Sequence, residues 1–160
     1  MEREKINSEL SFLKAQINPH FFFNTLNNIY ALTIIDVEAA QQALHKLSRL
    51  MRYVLYETQH KNVLLSQEIA FARDYIELMQ LRLTDKVKLH LEEPIPLHDV
   101  QIAPMLFLPF IENAFKHGIS AVQASTIDIR IHQEGSKLLV EVVNTLFSEK
   151  RTVLEESNGI

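Results

Sequence analysis

Apolar residues in the first third of the chain recur at steps of three and four, the spacing of one helix face. One stripe consists of Ile6, Leu10, Leu13 and Ile17, and it resumes after Pro19 as Phe22, Leu26 and Ile29. A second consists of Ala40, Leu44, Leu47, Met51 and Val54. Pro19 interrupts the first stripe and predicts a bend, because proline lacks an N–H donor and clashes with the preceding turn. Asp36 is the expected N-cap of the second helix.

Two helices joined by a short connection predict an antiparallel hairpin. One hairpin alone would bury its two apolar seams poorly, whereas two hairpins packed together would remove both seams from water. We therefore expect the N-terminal part of the chain to form half of a homodimeric four-helix bundle. Residues 59–65 are interpreted as a linker. Ser66 is expected to cap a third helix that runs to about Leu83, with its inward side chains at Ile69, Ile76, Met79 and Leu83.

The hydrophobic period then becomes an alternation, which predicts strands. The alternating residues are Val87, Leu89 and Leu91, then Val100 and Ile102, and then Ile127, Ile129 and Ile131. Residues 134–137 predict a turn into a last strand at 138–143. Pro104 suits the first turn of an intervening helix that extends to about His117 and ends at Gly118. The whole pattern predicts an α+β fold with a helical domain at residues 1–62 and a second domain at 63–160.

Composition narrows the function classes. With 47% hydrophobic residues among 160, the chain can bury a core, and its net charge of −4 argues against direct binding of nucleic acid. The absence of cysteine excludes disulfides and thiolate metal sites. No apolar run approaches the roughly 20 residues of a membrane helix. Any membrane attachment is therefore expected through a region outside this chain.

His20 follows the helix-bending Pro19 and precedes three phenylalanines and several asparagines. A neutral imidazole is a nucleophile, so an outward-facing ring could accept a phosphoryl group. The residues four positions away, Gln16 and Asn24, cannot act as bases, which leaves open the group that orients the ring. The ordinary alternative is a histidine that caps a helix or lies in the bundle core.

Residues 106–118 separate into two faces when they are placed on a helix. The apolar face consists of Phe107, Phe110, Ile111, Ala114 and Phe115, and the polar face of Glu112, Asn113, Lys116 and His117. An amide oxygen suits Mg²⁺, a lysine neutralises phosphate, and a carboxylate could order a water molecule or polarise an acceptor. The polar face therefore suits a magnesium–triphosphate. The alternative is the solvated face of an ordinary amphipathic helix.

Four strings, in this order, resemble the LytS-like family of sensor histidine kinases. Residues 14–27 (KAQINPHFFFNTLN) are similar to its phosphoacceptor box, and residues 47–55 (LSRLMRYVL) to its second bundle helix. Residues 65–69 (LSQEI), with 75–77 and 81–82, resemble the helix that opens its ATPase domain. Residues 104–118 (PMLFLPFIENAFKHG) resemble its asparagine box.

This resemblance implies a bacterial two-component sensor whose parent protein lies in the inner membrane. His20 would take the γ-phosphoryl group of ATP and pass it to an aspartate of a response regulator, often one with a LytTR-type DNA-binding domain. Asn113 would hold Mg²⁺, Lys116 and His117 would approach phosphate, and Glu112 would be a base or water-orienting group. The implied second domain is a GHKL-type α/β sandwich, here truncated.

The sequence departs from the family at the glycine-rich segments that approach the nucleotide. After the strand that ends at Val143 the chain has Asn144 in place of the adenine-binding aspartate, and no glycine follows in residues 145–147. A second glycine segment is expected to begin at Gly159. Two hypotheses follow: a kinase that phosphorylates His20, or a non-catalytic dimeric phosphotransfer and signalling scaffold. The glycine deficit predicts weak ATP binding by this chain.

Overall fold

A computed structural model describes residues 2–5 and 18–147 of the chain. The apolar stripe from Ile6 to Ile17 and the expected glycine segment at Gly159 lie outside the described residues. The helices are α1 (Pro19–Ile35), α2 (Val37–Tyr56), α3 (Leu65–Gln80) and α4 (Leu108–His117), with a short 3₁₀ helix at Glu57–Gln59. The strands are β1 (Val63–Leu64), β2 (Val87–Glu92), β3 (Gln101–Ile102), β4 (Ser125–Glu134) and β5 (Lys137–Asn144). The α+β prediction is thereby confirmed.

The chain divides into two compact units that are discontinuous in sequence. The first contains the residues up to Leu83 together with Asp99–Leu106, and the second contains Thr84–His98 and the residues from Phe107 onward. The first unit thus holds α1 to α3, β1 and β3, and the second holds α4 and the remaining strands. The predicted boundary after residue 62 separates a phosphotransfer domain from an ATP-binding domain by function, whereas the two units above are defined by compactness. The functional boundary stays a prediction.

Helices α1 and α2 pack against each other and are joined by Asp36 alone. The Asp36 carboxylate accepts a hydrogen bond from the backbone N–H of Ala39 at 3.1 Å, which confirms its N-cap role. The buried stripe of α2 differs from the expected one by part of a turn: Leu44 is 52% exposed, and Ala43 and Leu50 are buried in its place. Both stripes fit a helical period, so spacing alone could not distinguish them.

Helix α3 lies against α2, with polar links along the contact. The Arg49 guanidinium donates to both carboxylate oxygens of Asp74, at 2.9 and 3.2 Å, and Lys46 pairs with Glu77 at 2.8 Å. The interior of α3 contains Ile69, Ile76 and Met79, as expected. Leu83 lies beyond the end of the helix and is only half-buried.

The N-terminus of α3 is capped differently from the prediction. Ser66 is the second residue of the helix rather than its N-cap, and both its backbone N–H and its hydroxyl donate to the Asp99 carboxylate, at 3.0 and 2.6 Å. Asp99 therefore supplies from 33 positions away the acceptor that a local cap residue would provide. Residues 59–65 are also more than a linker, because Val63 is buried and pairs with Ile102 in the short β1–β3 ladder.

The second unit is built on a three-stranded sheet in the order β2-β4-β5, in which β2 is parallel and β5 antiparallel to β4. The central strand presents Ile127, Ile129 and Ile131 to the core, and none of the three has exposed surface. The expected hairpin is confirmed, and Gly135 in its two-residue turn has φ +58°. Glycine suits this left-handed backbone because it has no Cβ.

Helix α4 begins four residues later than the sequence suggested. Pro109, not Pro104, lies in its first turn, and Gly118 follows its last residue as expected. Leu108, Ile111, Ala114 and Phe115 are buried. Phe110 was expected on the apolar face but is 61% exposed, because it lies at the margin of the arc that faces the core.

Candidate functional site

His20 is the second residue of α1, and its side chain is exposed. The Asn18 side chain accepts a hydrogen bond from the backbone N–H of His20 at 3.0 Å and so forms the N-cap. Pro19 occupies the first helical position, where a backbone N–H has no intrahelical partner and proline is tolerated. The described helix begins at Pro19, and Asn18 before it has a non-helical backbone (φ −58°, ψ 122°). The rest of the segment in which a bent helix was predicted, residues 6–17, lies outside the described part of the chain.

The phenylalanines after His20 fix the rotation of α1. Phe21 and Phe22 are 5% and 8% exposed, and their rings meet edge to face with centroids 5.4 Å apart. Phe21 also stacks on Tyr75 of α3 at 4.8 Å. Since these anchors face the interior, the preceding position in the helix turns outward, and Asn24 one turn later is exposed too. The imidazole of His20 is thus accessible to a reactant from solution.

The second predicted cluster lies on α4. Asn113, Lys116 and His117 are exposed, and Glu112 is half-buried at the edge of the core face. Lys116 and His117 lie in the last turn, where cationic side chains interact favourably with the helix dipole. This position explains the two basic residues without a ligand, and it also presents them together at one end of the helix.

Glu112 is the carboxylate of this cluster. Its Oε1 is buried and makes no hydrogen bond to any described residue. Burial raises the pKa of Glu112 above its ordinary value, because desolvation disfavours the charged form. An unpartnered buried oxygen of this kind suits a water molecule, a proton or a cation as its partner.

Asn144, at the end of β5, lies against the C-terminal end of α4. A Cβ on Gly118 would be 2.7 Å from the Asn144 Cβ and 2.5 Å from the carbonyl oxygen of Ala114. The Asn144 amide nitrogen donates to the Thr145 carbonyl oxygen at 3.0 Å, which leaves its amide oxygen as an acceptor. The structure thus places Asn144 directly beside the glycine that follows His117.

These residue types fit a magnesium–nucleotide better than a metal held by protein alone. Among residues 2–5 and 18–147 there is no group of three His, Cys, Asp or Glu side chains that could hold a metal ion. Magnesium in nucleotide sites is commonly held by one or two side-chain oxygens and the phosphates. Asn113 offers an amide oxygen, and Glu112 offers the unpartnered carboxylate oxygen.

A further buried cluster lies in the first unit, and the sequence reasoning missed it. Glu68 is 1% exposed and accepts hydrogen bonds from Tyr53 and from the backbone N–H of Leu106. A signal was present, because Glu68 lies on the same helical stripe as Leu65 and Ala72, at steps of three and four. A carboxylate on an apolar stripe predicts a buried partner.

Comparison with known proteins identifies the class. Residues 8–87, half of the chain, match the histidine kinase family. The chain is 34% identical over 117 residues to the sensor protein kinase HptS of Staphylococcus aureus strains USA300, NCTC 8325 and MRSA252. This alignment covers 73% of the chain and 22% of each relative, so the chain spans about a fifth of their length.

The chain belongs to the histidine kinase family, a family of signal-transducing transferases. Within the described residues, every helix is too short or too polar to cross a membrane.

Proposed function

We propose that this chain is the phosphoacceptor region and part of the ATP-binding domain of a LytS-like sensor histidine kinase in a two-component system. The observation that carries the proposal is the exposed imidazole of His20 at the start of α1, beside two buried phenylalanines that hold its orientation. The match to the histidine kinase family includes this residue. The relatives named as sensor protein kinases support the signalling role.

In the proposed reaction a ring nitrogen of His20 forms a bond to the γ-phosphorus of ATP, and the bond from that phosphorus to the ADP oxygen breaks. The ring proton passes to a base or to water. The phosphoryl group then moves from His20 to an aspartate carboxylate of a response regulator, and the ring takes up a proton from water or a neighbouring acid, which restores the neutral imidazole. An exposed position suits both transfers, since two different partners must reach the same nitrogen.

The α4 cluster would bind the nucleotide. Asn113 would hold Mg²⁺ through its amide oxygen, Lys116 and His117 would contact phosphate, and Asn144 would hydrogen-bond adenine. Glu112 would act as a base or orient a water molecule, because burial raises its pKa and makes the carboxylate a stronger base than an exposed glutamate. Bound Mg²⁺ would neutralise phosphate charge during the transfer.

We further propose that α1 and α2 form an antiparallel hairpin that pairs with a second copy in a four-helix bundle, followed by a truncated GHKL-type domain. Several apolar residues at helical spacing on α1 are exposed in the single chain, namely Phe23, Leu26, Tyr30 and Ile34. A second copy would bury them. The response regulator would carry a LytTR-type domain, and the parent protein would be anchored in the bacterial inner membrane through a region outside this chain.

A second candidate is a non-catalytic dimeric phosphotransfer scaffold. It is favoured by Asn144, which stands where the resembling family has an aspartate, and by the lack of glycine at residues 145–147. An asparagine can still hydrogen-bond adenine, but it offers no negative charge to the exocyclic amine.

The test uses γ-labelled ATP with Mg²⁺ and compares the chain with the variants His20→Gln and His45→Gln. His45 is a matched control, because it is an exposed helical histidine outside the proposed site. Acid-labile, base-stable label that is lost only in His20→Gln supports the kinase. Label that appears only after addition of a complete partner kinase supports the scaffold, and label that persists in His20→Gln contradicts both.

A titration of ATP against the chain and its Asn113→Asp variant tests the metal role separately. We expect the variant to change the affinity for ATP and its dependence on Mg²⁺. Identical affinity and identical Mg²⁺ dependence would count against Asn113 as a ligand.

A further inference from the structure

The carboxylate of Glu68 joins three segments of the first unit. It lies on α3, accepts a hydrogen bond from the Tyr53 hydroxyl of α2, and accepts another from the Leu106 backbone N–H at 3.1 Å. The Met105 backbone N–H also lies near enough to this carboxylate to lower its pKa. One side chain thus connects α2 to the residues from which the chain continues, at Phe107, toward α4.

The backbone at Met105 is shaped for this contact. Met105 has φ +63°, a left-handed conformation that a residue with a side chain adopts only when its surroundings hold it there. A left-handed residue turns consecutive N–H groups toward one side, and such a concave pair binds an anion. The Glu68 carboxylate accepts a hydrogen bond from the Leu106 N–H on this side from within the protein, so the left-handed backbone and the buried carboxylate stabilise each other.

Tyr53, the donor from α2 to Glu68, is also held in place by burial and by ring stacking. Tyr53 is 9% exposed, and its ring stacks on Phe71 with centroids 5.0 Å apart. Burial raises the pKa of Tyr53, which keeps the hydroxyl protonated as a donor. Burial also raises the pKa of Glu68, opposed by the hydrogen bonds from Tyr53 and from the Leu106 and Met105 backbone. Each donor therefore contributes to holding the carboxylate in place.

We propose that Glu68 is a positioning residue, whose buried carboxylate ties α2, through Tyr53, to the left-handed Met105–Leu106 backbone that leads into α4. This inference rests on the proposed function for its catalytic consequence: a displacement of α2 would reach, through Tyr53 and Glu68, the backbone from which the chain continues toward α4. Glu68 touches no reactant in this scheme and acts on the rate of transfer through the placement of other residues.

The first test measures amide hydrogen exchange by NMR in the full chain and in three variants. In Glu68→Gln and Tyr53→Phe we expect the Met105 and Leu106 amides to exchange about ten-fold faster or more, while amides within α3 keep their protection. Asp74→Asn is the matched control, because Asp74 is a mostly buried carboxylate that also links α3 to α2 but does not contact this backbone. In the Asp74→Asn variant, the Leu106 amide should exchange at the same rate as in the unmodified chain.

The second test measures His20 phosphorylation over a range of ATP concentrations. We expect kcat to fall about ten-fold in Glu68→Gln with KM for ATP within about two-fold, since orientation is lost and nucleotide contacts are kept. Asp74→Asn should leave both constants unchanged. A lower thermal stability without a change in kcat would assign Glu68 a purely structural role and overturn the proposal.

The two tests separate the two levels of inference. The structural link from α2 through Glu68 to the Leu106 backbone is overturned if the Leu106 amide exchanges at an unchanged rate in Glu68→Gln. It is also overturned if Asp74→Asn accelerates this exchange equally. Both conclusions hold independently of the rate of His20 phosphorylation. If Glu68→Gln does not fold, Tyr53→Phe decides the question, because it removes one donor and keeps the ring. Absence of label on the unmodified chain, with and without an added complete partner kinase, overturns the proposed function and with it the catalytic consequence. The hydrogen-exchange experiment still decides whether Glu68 holds the Met105–Leu106 backbone.

Discussion

The Asn144 side chain occupies the space beside Gly118 that a methyl group would need. The backbone of Gly118 is ordinary, with φ −94°, so the requirement for glycine here is one of contact rather than conformation. The end of β5 and the end of α4 can meet only because this position lacks a Cβ.

We therefore expect Gly118→Ala to destabilise the chain by about 1–3 kcal/mol, the usual cost of forcing extra atoms into a packed site. Gly135→Ala is the contrasting variant: it meets nothing within 4 Å but has φ +58°, so only backbone strain of about 1 kcal/mol applies. Urea unfolding measures both. Gly135→Asn should recover part of the loss because asparagine tolerates the left-handed region, whereas Gly118→Asn should not.

The raised pKa of Glu112 predicts a pH-dependent stability. A raised folded-state pKa gives stabilisation that is complete below the ordinary value of 4.5 and is lost as the pH rises through the folded-state pKa. Glu112→Gln lacks this loss. We expect the variant to gain stability relative to the unmodified chain as the pH rises above 4.5, as followed by urea unfolding at each pH.

The same stability measurement, repeated with added Mg²⁺, tests whether a cation binds near Glu112. A cation near the unpartnered oxygen of Glu112 would favour the charged carboxylate and lower its pKa, so added Mg²⁺ should reduce the advantage of Glu112→Gln at neutral pH. Equal effects of Mg²⁺ on both proteins would place the cation away from Glu112.

Asp99 predicts the opposite pH dependence. Hydrogen bonds from the Ser66 side chain and backbone hold the pKa of Asp99 below its ordinary value of 3.8. A lowered pKa gives stability that is present above the ordinary value and is lost as the pH falls through the folded-state pKa. Asp99→Asn should lower the urea midpoint at neutral pH and have little effect near pH 2. Asp85→Asn, at another exposed aspartate, should change neither value.

The proposed dimer can be tested on α1 with two equally exposed isoleucines. Ile34 and Ile35 are 80% and 81% exposed, but only Ile34 continues the stripe of Phe23, Leu26 and Tyr30, and Ile35 lies about 100° further around the helix. We expect Ile34→Glu to weaken dimerisation at least about ten-fold in sedimentation equilibrium, and Ile35→Glu to have a much smaller effect. Equal weakening by both would contradict the proposed pairing face.

The periodic elements of this fold were predictable because local spacing determines them. The alternation at Ile127, Ile129 and Ile131 gave the central strand, and Asp36 gave the start of α2. Errors arose where a distant residue decides the outcome. Ser66 resembles a cap in sequence, yet Asp99 accepts its hydrogen bonds, and the loop before α4 is held by Glu68 instead of starting a helix at Pro104.

At the candidate site, too, features that local sequence determines were predicted correctly and features that depend on the surrounding structure were not. The exposure of His20 agrees with its expected outward orientation, because the phenylalanines beside it are the apolar residues that the core requires. The prediction that Phe110 lies on the buried face was wrong, because a helical wheel gives the direction of each side chain but not the width of the face that the core covers. The ligand roles of Glu112, Asn113, Lys116, His117 and Asn144 stay predictions that the experiments above address.

Residues Asp99–Leu106 belong to the first unit although they follow a segment of the second, and this determines where the chain can be shortened. The chain passes from one unit to the other at 83/84, 98/99 and 106/107. A fragment that ended at Leu83 would keep α1, α2 and α3 but would deprive Ser66 of its acceptor and Glu68 of its backbone donor at Leu106. A shortened version for crystallisation or NMR should therefore extend through Leu106, and limited proteolysis between 84 and 98 should leave a nicked helical unit that still holds its distant segment.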